Sequence, residues 1–99
     1  MSYLAKFSYV IALVVLSQNI YAQEVGSKCK VTDPTGTPLN VRKEPAGKIL
    51  RTIANNRLVV IRDYDDDEKG QPWVLISDAK TGKRIGWVIR EFVSCSNRL

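Results

Sequence analysis

The chain has 99 residues, of which 44% are hydrophobic and 25% are charged, and this length has room for one domain. It contains no histidine and only two cysteines, so it lacks the usual base for catalysis near neutral pH and the ligand set of a zinc site. The formal net charge of +5 favours anionic partners. This composition argues against an enzyme and favours a small binding domain.

Residues 1–22 have the pattern of a secretory signal peptide. A short start with one basic residue, Lys6, precedes an apolar run over Phe7–Leu16, and the small residue Ala22 fits a cleavage site. An uncleaved membrane anchor and a cytosolic chain are the alternatives, although the run is shorter than the ~20 apolar residues that span a bilayer. We therefore predict a periplasmic or secreted protein without stable membrane insertion after cleavage. The predicted organisation is a leader (1–22), a short N-terminal segment (23–27), a domain (28–95) and a polar tail (96–99).

The rest of the chain consists of short apolar segments separated by turn residues about every eight to twelve positions, which is typical of an all-β barrel or sandwich. Strands are predicted at Lys28–Thr32, Leu39–Arg42, Ile49–Ile53, Leu58–Tyr64, Trp73–Ser77 and Arg84–Ile89. Proline, glycine and asparagine mark turns at 33–38, 44–47, 55–56 and 80–83, and a polar loop is predicted at Asp65–Pro72. A tight helical turn at Arg90–Phe92 is predicted before the last segment, Val93–Cys95.

The two cysteines, Cys29 and Cys95, lie near the ends of the predicted domain. In an exported chain such a pair is most simply a disulfide, and it would close a loop of about 67 residues. The pairing predicts that the first and last strand segments lie side by side. A reactive thiol or a metal-binding pair is the alternative.

The segment Asp63–Glu68 contains five acidic residues and no basic one. Its aspartates at 63, 65 and 67 match the first three ligand positions of a calcium loop. The glycine and the bidentate glutamate that such a loop needs are replaced by Glu68 and Val74. We therefore interpret the segment as a solvated acidic turn rather than a metal site, with weak calcium binding as the alternative.

The aromatic residues Tyr64, Trp73 and Trp87 fall near the last strands and are the candidates for a ligand-binding groove. Filling the core is the alternative role of these rings, and it is the role we predict for Phe92. We expect basic residues at the rim of this groove, where arginine binds carboxylates with two hydrogen bonds; the candidates are Arg42, Lys43, Lys80, Lys83, Arg84 and Arg90. The alternative is that these charges only keep the protein soluble.

Two motifs resemble those of the bacterial Src-homology-3-like (SH3-like) family. The first is Leu39-Asn40-Val41-Arg42, followed by a turn with Pro45 and Gly47, and the second is Gly86-Trp87-Val88. The resemblance spans about residues 30–93, and several members of the family carry a similar terminal cysteine pair. It implies a small, strongly bent barrel of five to six strands that binds cell-wall peptides or proteins without catalysis.

These observations predict a non-enzymatic module that binds peptidoglycan or its peptides, in an SH3-like barrel closed by the Cys29–Cys95 disulfide. The alternative is a protein-interaction or inhibitor module that docks on a periplasmic protein, with the acidic segment as its contact. No cofactor and no nucleic acid partner is expected.

Overall fold

The computed structural model describes residues 24–95, which form seven β-strands and no α-helix. No helix in this part of the chain is long and apolar enough to cross a membrane. The strands are β1 (Lys28–Val31), β2 (Leu39–Arg42), β3 (Ile49–Ile53), β4 (Leu58–Asp66), β5 (Pro72–Asp78), β6 (Arg84–Ile89) and β7 (Val93–Cys95), with a 3-10 turn at Arg90–Phe92 before β7. The predicted leader and polar tail lie outside the described residues.

The all-β class is confirmed, and the number of strands is seven rather than five to six because Val93–Cys95 pairs with β1 as a strand of its own. The predicted bounds of β2, β3 and β6 are those observed. The predicted loop Asp65–Pro72 is wrong at both ends, since Asp66 pairs with Pro72 and Asp65 pairs with Trp73. The acidic segment therefore lies mainly on a strand rather than in a loop.

All seven strands belong to one antiparallel sheet, in the order β3-β2-β6-β5-β4-β1-β7. Strands β3 and β7 lie at the two ends of this order, and no pairing joins them within residues 24–95. The sheet is therefore open and does not form the predicted closed barrel. The disulfide does not close it because it joins β1 to β7, which are neighbours at the same edge.

The predicted disulfide is confirmed. Cys29 and Cys95 are opposite each other in the β1–β7 ladder, and their sulfur atoms are 2.06 Å apart. The first and last strands therefore lie side by side, as the position of the two cysteines predicts. The cross-link fastens an edge strand of only three residues to the rest of the sheet.

The core lies on one face of the bent sheet. Alternation of buried and exposed residues along β1 and β2 directs every second side chain into it. The largest fully buried side chains are Val31, Val41, Val59, Ile61, Val74, Ile76, Val88 and Val93. These β-branched residues suit a pleated surface, which explains why the strands form where the sequence is rich in them.

Candidate functional site

Trp73 and Trp87 lie on the face of the sheet opposite the core. In β5 and β6, Val74 pairs with Val88 on the core face, whereas Leu75 pairs with Trp87 one position further on. The guanidinium of Arg42 lies 5.9 Å from the centre of the Trp73 ring, a cation–π distance. The structure thus brings together three of the predicted groove residues, Arg42, Trp73 and Trp87.

These two tryptophans expose little surface: Trp73 is 4% exposed and Trp87 is 9% exposed. Arg42 helps to cover Trp73, and its Nη1 donates a hydrogen bond of 2.7 Å to the carbonyl oxygen of Gly47. Both indoles are therefore covered on the outer face and leave only a small area open to a ligand.

Other predicted groove residues lie elsewhere. Tyr64 packs against the core, on the opposite face from the tryptophans, and Phe92 packs there too, as predicted. Arg90 forms a two-point ion pair with Glu24, with nitrogen–oxygen distances of 2.9 and 2.7 Å, and donates a further hydrogen bond to the carbonyl oxygen of Val93. Arg90 thus ties the N-terminal segment to the end of the sheet, and its hydrogen bond lowers the pKa of Glu24.

Asp67 organises the tip of the β4–β5 hairpin. Its Oδ1 accepts hydrogen bonds from the backbone amides of Lys69 (2.9 Å) and Gln71 (3.0 Å), and its Oδ2 accepts one from the indole nitrogen of Trp73 (3.0 Å). The indole bond, followed by the amide of Gln71, lowers the pKa of the Asp67 carboxyl. Residues 24–95 contain no group of three or more His, Cys, Asp or Glu side chains that could hold a metal ion.

Replacing Asp67 with asparagine should make the stability of the protein less sensitive to acid. A carboxylate whose pKa is lower in the folded state than its unfolded value of about 3.9 stabilises the fold at neutral pH. That contribution is lost as the pH falls through the folded pKa, so the wild type should lose more stability than Asp67→Asn between about pH 5 and pH 2. Thermal unfolding across this range measures the difference, with Asp63→Asn as the control on the exposed part of β4. Parallel curves for the wild type and Asp67→Asn would contradict the assignment.

Arg84 lines a cationic cleft of about 520 Å³. The cleft lies between β3, the β3–β4 turn and the β5–β6 hairpin, and its lining residues are Arg51, Thr52, Ile53, Arg57, Asp78, Thr81, Lys83, Arg84 and Ile85. Four cationic side chains face one carboxylate there, so the cleft carries a net charge of +3. We call it the cationic cleft.

The cleft's single carboxylate, Asp78, shapes one wall. Its Oδ1 accepts hydrogen bonds from the backbone amides of Lys80 (2.8 Å) and Thr81 (2.9 Å), and these two bonds stabilise the turn of the β5–β6 hairpin. Its Oδ2 accepts hydrogen bonds from Arg57 at 2.6 and 3.3 Å, and these bonds hold the pKa of Asp78 well below its usual range. Asp78 therefore stays ionised and fixes the direction of Arg57.

The remaining cations of the cleft differ in how they are held. Arg51 donates from Nη1 to the carbonyl oxygen of Ile85 and so links β3 to β6. Lys83 and Arg84 are exposed, and neither forms an ion pair with any residue of the described range. Arg51 and Arg57 were not singled out from the sequence, because the fold brings them to Arg84 from positions about 30 residues away. Lys83 and Arg84 were predicted at the rim of the aromatic groove, and the structure places them in this cleft instead.

No family model, curated protein or solved structure matches the chain. The likeness to the bacterial Src-homology-3-like family therefore rests on the two sequence motifs.

Proposed function

We propose that the protein is an exported, non-catalytic module that binds peptidoglycan or its peptides through the cationic cleft. The observation that carries this proposal is the gathering of four cationic side chains around one open cleft. The predicted signal peptide and the two family motifs support the cellular location and the class of ligand. We further propose that the open sheet is a variant of the SH3-like fold to which those motifs belong.

The cleft has the chemistry to bind the carboxylates of wall peptides. An arginine presents five N–H donors in a planar fork, so Arg51 and Arg57 keep donors free after their contacts to Ile85 and Asp78. These contacts hold both side chains in place before a ligand arrives, which reduces the entropy lost on binding. The exposed cations Lys83 and Arg84 would add attraction that weakens with salt.

Lys83 and Arg84 are the two cations of the cleft whose side chains form no hydrogen bond or ion pair within residues 24–95. Removing both should weaken binding to intact peptidoglycan sacculi about tenfold, because two partly screened contacts of roughly 0.7 kcal/mol each add up to the ~1.4 kcal/mol of a tenfold change. The measurement is co-sedimentation of the oxidised protein with sacculi at low and moderate salt, comparing the wild type with Lys83→Ala/Arg84→Ala. The control is Lys43→Ala/Lys48→Ala, which changes the net charge equally at exposed positions outside the cleft. Equal retention of the two double variants would contradict a role for the cleft, and loss of all retention at moderate salt would leave only bulk charge attraction.

A protein-interaction module is the second candidate, and the β4–β5 hairpin favours it. Its acidic side chains Asp63, Asp65, Asp66 and Glu68 are exposed and form no ion pair within residues 24–95. Asp67 orders the tip of this hairpin, so the carboxylates are presented on a defined scaffold to a basic partner. Absence of sacculus binding together with a stoichiometric protein partner would move this function to first place.

A further inference from the structure

A second groove, of about 550 Å³, lies at the β4-β1-β7 edge of the sheet and is lined in part by the two residues of the disulfide. Its lining residues are Lys28, Cys29, Lys30, Leu58, Ala79, Lys80, Ser94 and Cys95, and it shares none of them with the cationic cleft. The volume is within the range of roughly 300–1,000 Å³ that small-ligand sites occupy. We call it the disulfide groove.

The floor of the disulfide groove is apolar. Leu58 is 56% exposed, the highest value among the exposed large hydrophobic residues of the described chain. The backbone amide of Ala79 donates to the carbonyl oxygen of Leu58 at 3.1 Å, and this bond holds the small Ala79 side chain beside it. Cys29 and Cys95 also line the groove, but alternation along β1 turns the Cys29 side chain toward the core, so the apolar side chains of the floor are Leu58 and Ala79.

The rim of the same groove is cationic. Lys30 lies opposite Leu58 on one side and opposite Ser94 on the other, so its side chain leaves the sheet on the same face as the exposed Leu58. Lys28 and Lys80 supply two further positive charges, and none of the three lysines forms an ion pair in the part of the chain that the structure describes. The aliphatic stems of lysine cover apolar surface while the charged ends remain in water, so these side chains extend the floor as well as charging the rim.

We propose that the disulfide groove binds an anionic amphiphile with a single acyl chain, such as a fatty acid. The lysines of the rim would hold the carboxylate, and the chain would lie over Leu58 and Ala79, along the aliphatic stems of the lysines. Charge complementarity and the apolar floor together favour this ligand. A purely ionic ligand would leave the apolar floor exposed to water, and an uncharged chain would form no ion pair with the three lysines. The proposal does not depend on wall binding by the cationic cleft.

Calorimetric titration of the oxidised protein with decanoate tests this site, with acetate and decanol as probes of each half of the ligand. Leu58→Asn and Lys30→Ala/Lys80→Ala should each weaken decanoate binding about tenfold. The matched controls are Ile49→Asn, which changes a leucine-sized residue of 47% exposure on β3, and Lys43→Ala/Lys48→Ala; both should stay within about twofold of the wild type.

Amide chemical shifts locate the bound ligand independently of the variants. Decanoate should shift the amides of residues 28–30, 79–80 and 94–95 more than those of the cationic cleft. Shifts centred elsewhere, equal binding of decanol, or binding of acetate as strong as that of decanoate would overturn the proposal. Association with anionic vesicles but no binding of monomeric decanoate would also overturn it, because the lysines would then serve a membrane surface.

Discussion

The substitution Gly86→Ala is expected to destabilise the protein by about 3 kcal/mol or more, because it combines backbone strain with overpacking. Gly86 has a φ of +145°, a conformation that residues with a side chain rarely adopt. A Cβ atom at this position would lie 2.5 Å from Cγ1 of Val41 and 3.0 Å from the carbonyl oxygen of Arg42. Val41 is fully buried in the core, so it has no space into which to move.

The free energy of unfolding in urea measures this effect, and Gly82→Ala is the matched control. Gly82 also has a positive φ, +76°, but a Cβ there would meet no atom within 4 Å. The control should therefore cost only about 1 kcal/mol, the strain without the collision. An equal loss of unfolding free energy in the two variants would contradict a close contact between β2 and Gly86. The same contact explains why a glycine precedes Trp87 in the second motif.

Removing the disulfide by Cys29→Ala/Cys95→Ala is expected to cost about 4 kcal/mol. The cross-link joins residues separated by 66 positions, and in the chain-entropy model a closed loop of this length restricts the unfolded state by that amount. This loss is a large fraction of the free energy of unfolding of a native protein, which is about 5–15 kcal/mol. Strand β7 adds to the effect because it has only three residues and pairs only with β1 within the described sheet.

Urea unfolding of the oxidised wild type, the reduced wild type and the double alanine variant separates these contributions. The reduced wild type keeps both cysteine side chains, so its difference from the oxidised protein isolates the cross-link from the packing of Cys29, which is 4% exposed. A loss below about 1 kcal/mol on reduction would contradict the entropic argument.

The predicted aromatic groove was only partly correct, because the faces on which its three aromatic residues lie depend on strand register. Trp73 and Trp87 do lie on one face, a relation that follows from the register of two neighbouring strands. Tyr64 is close to Trp73 in the same hairpin, yet it pairs with Val74 and packs on the core side. The bulge between Ile61 and Asp63 in β4 changes the phase of the alternation before Tyr64, and no local pattern in the sequence announces that bulge.

The sequence also could not predict which arginines are available to a ligand. Arg84 and Arg90 were equivalent candidates in the sequence, since both are arginines beside the last long strand. In the structure Arg90 is held by Glu24, 66 positions earlier, whereas Arg84 remains exposed in the cationic cleft. An arginine's availability to a ligand depends on partners that are distant in sequence, so the composition alone could not separate the two.

The sequence by itself determined the features that depend on near neighbours. Alternating apolar residues and the turn-forming proline, glycine and asparagine determined the strands at Leu39–Arg42, Ile49–Ile53 and Arg84–Ile89, because period-two alternation and positive φ are local properties. The two cysteines in an all-β pattern were enough to predict the disulfide and the adjacency of the first and last strands.

Only the tertiary structure decided the order of the strands, the open form of the sheet and the position of the two grooves. Strand order depends on which strands form hydrogen bonds with each other. Within residues 24–95, β3 and β7 are the two end strands and do not pair with each other. The grooves form where side chains from three separate segments meet, as Arg51, Arg57 and Arg84 do. These contacts join residues that are distant in sequence, so they form only when the whole sheet has folded.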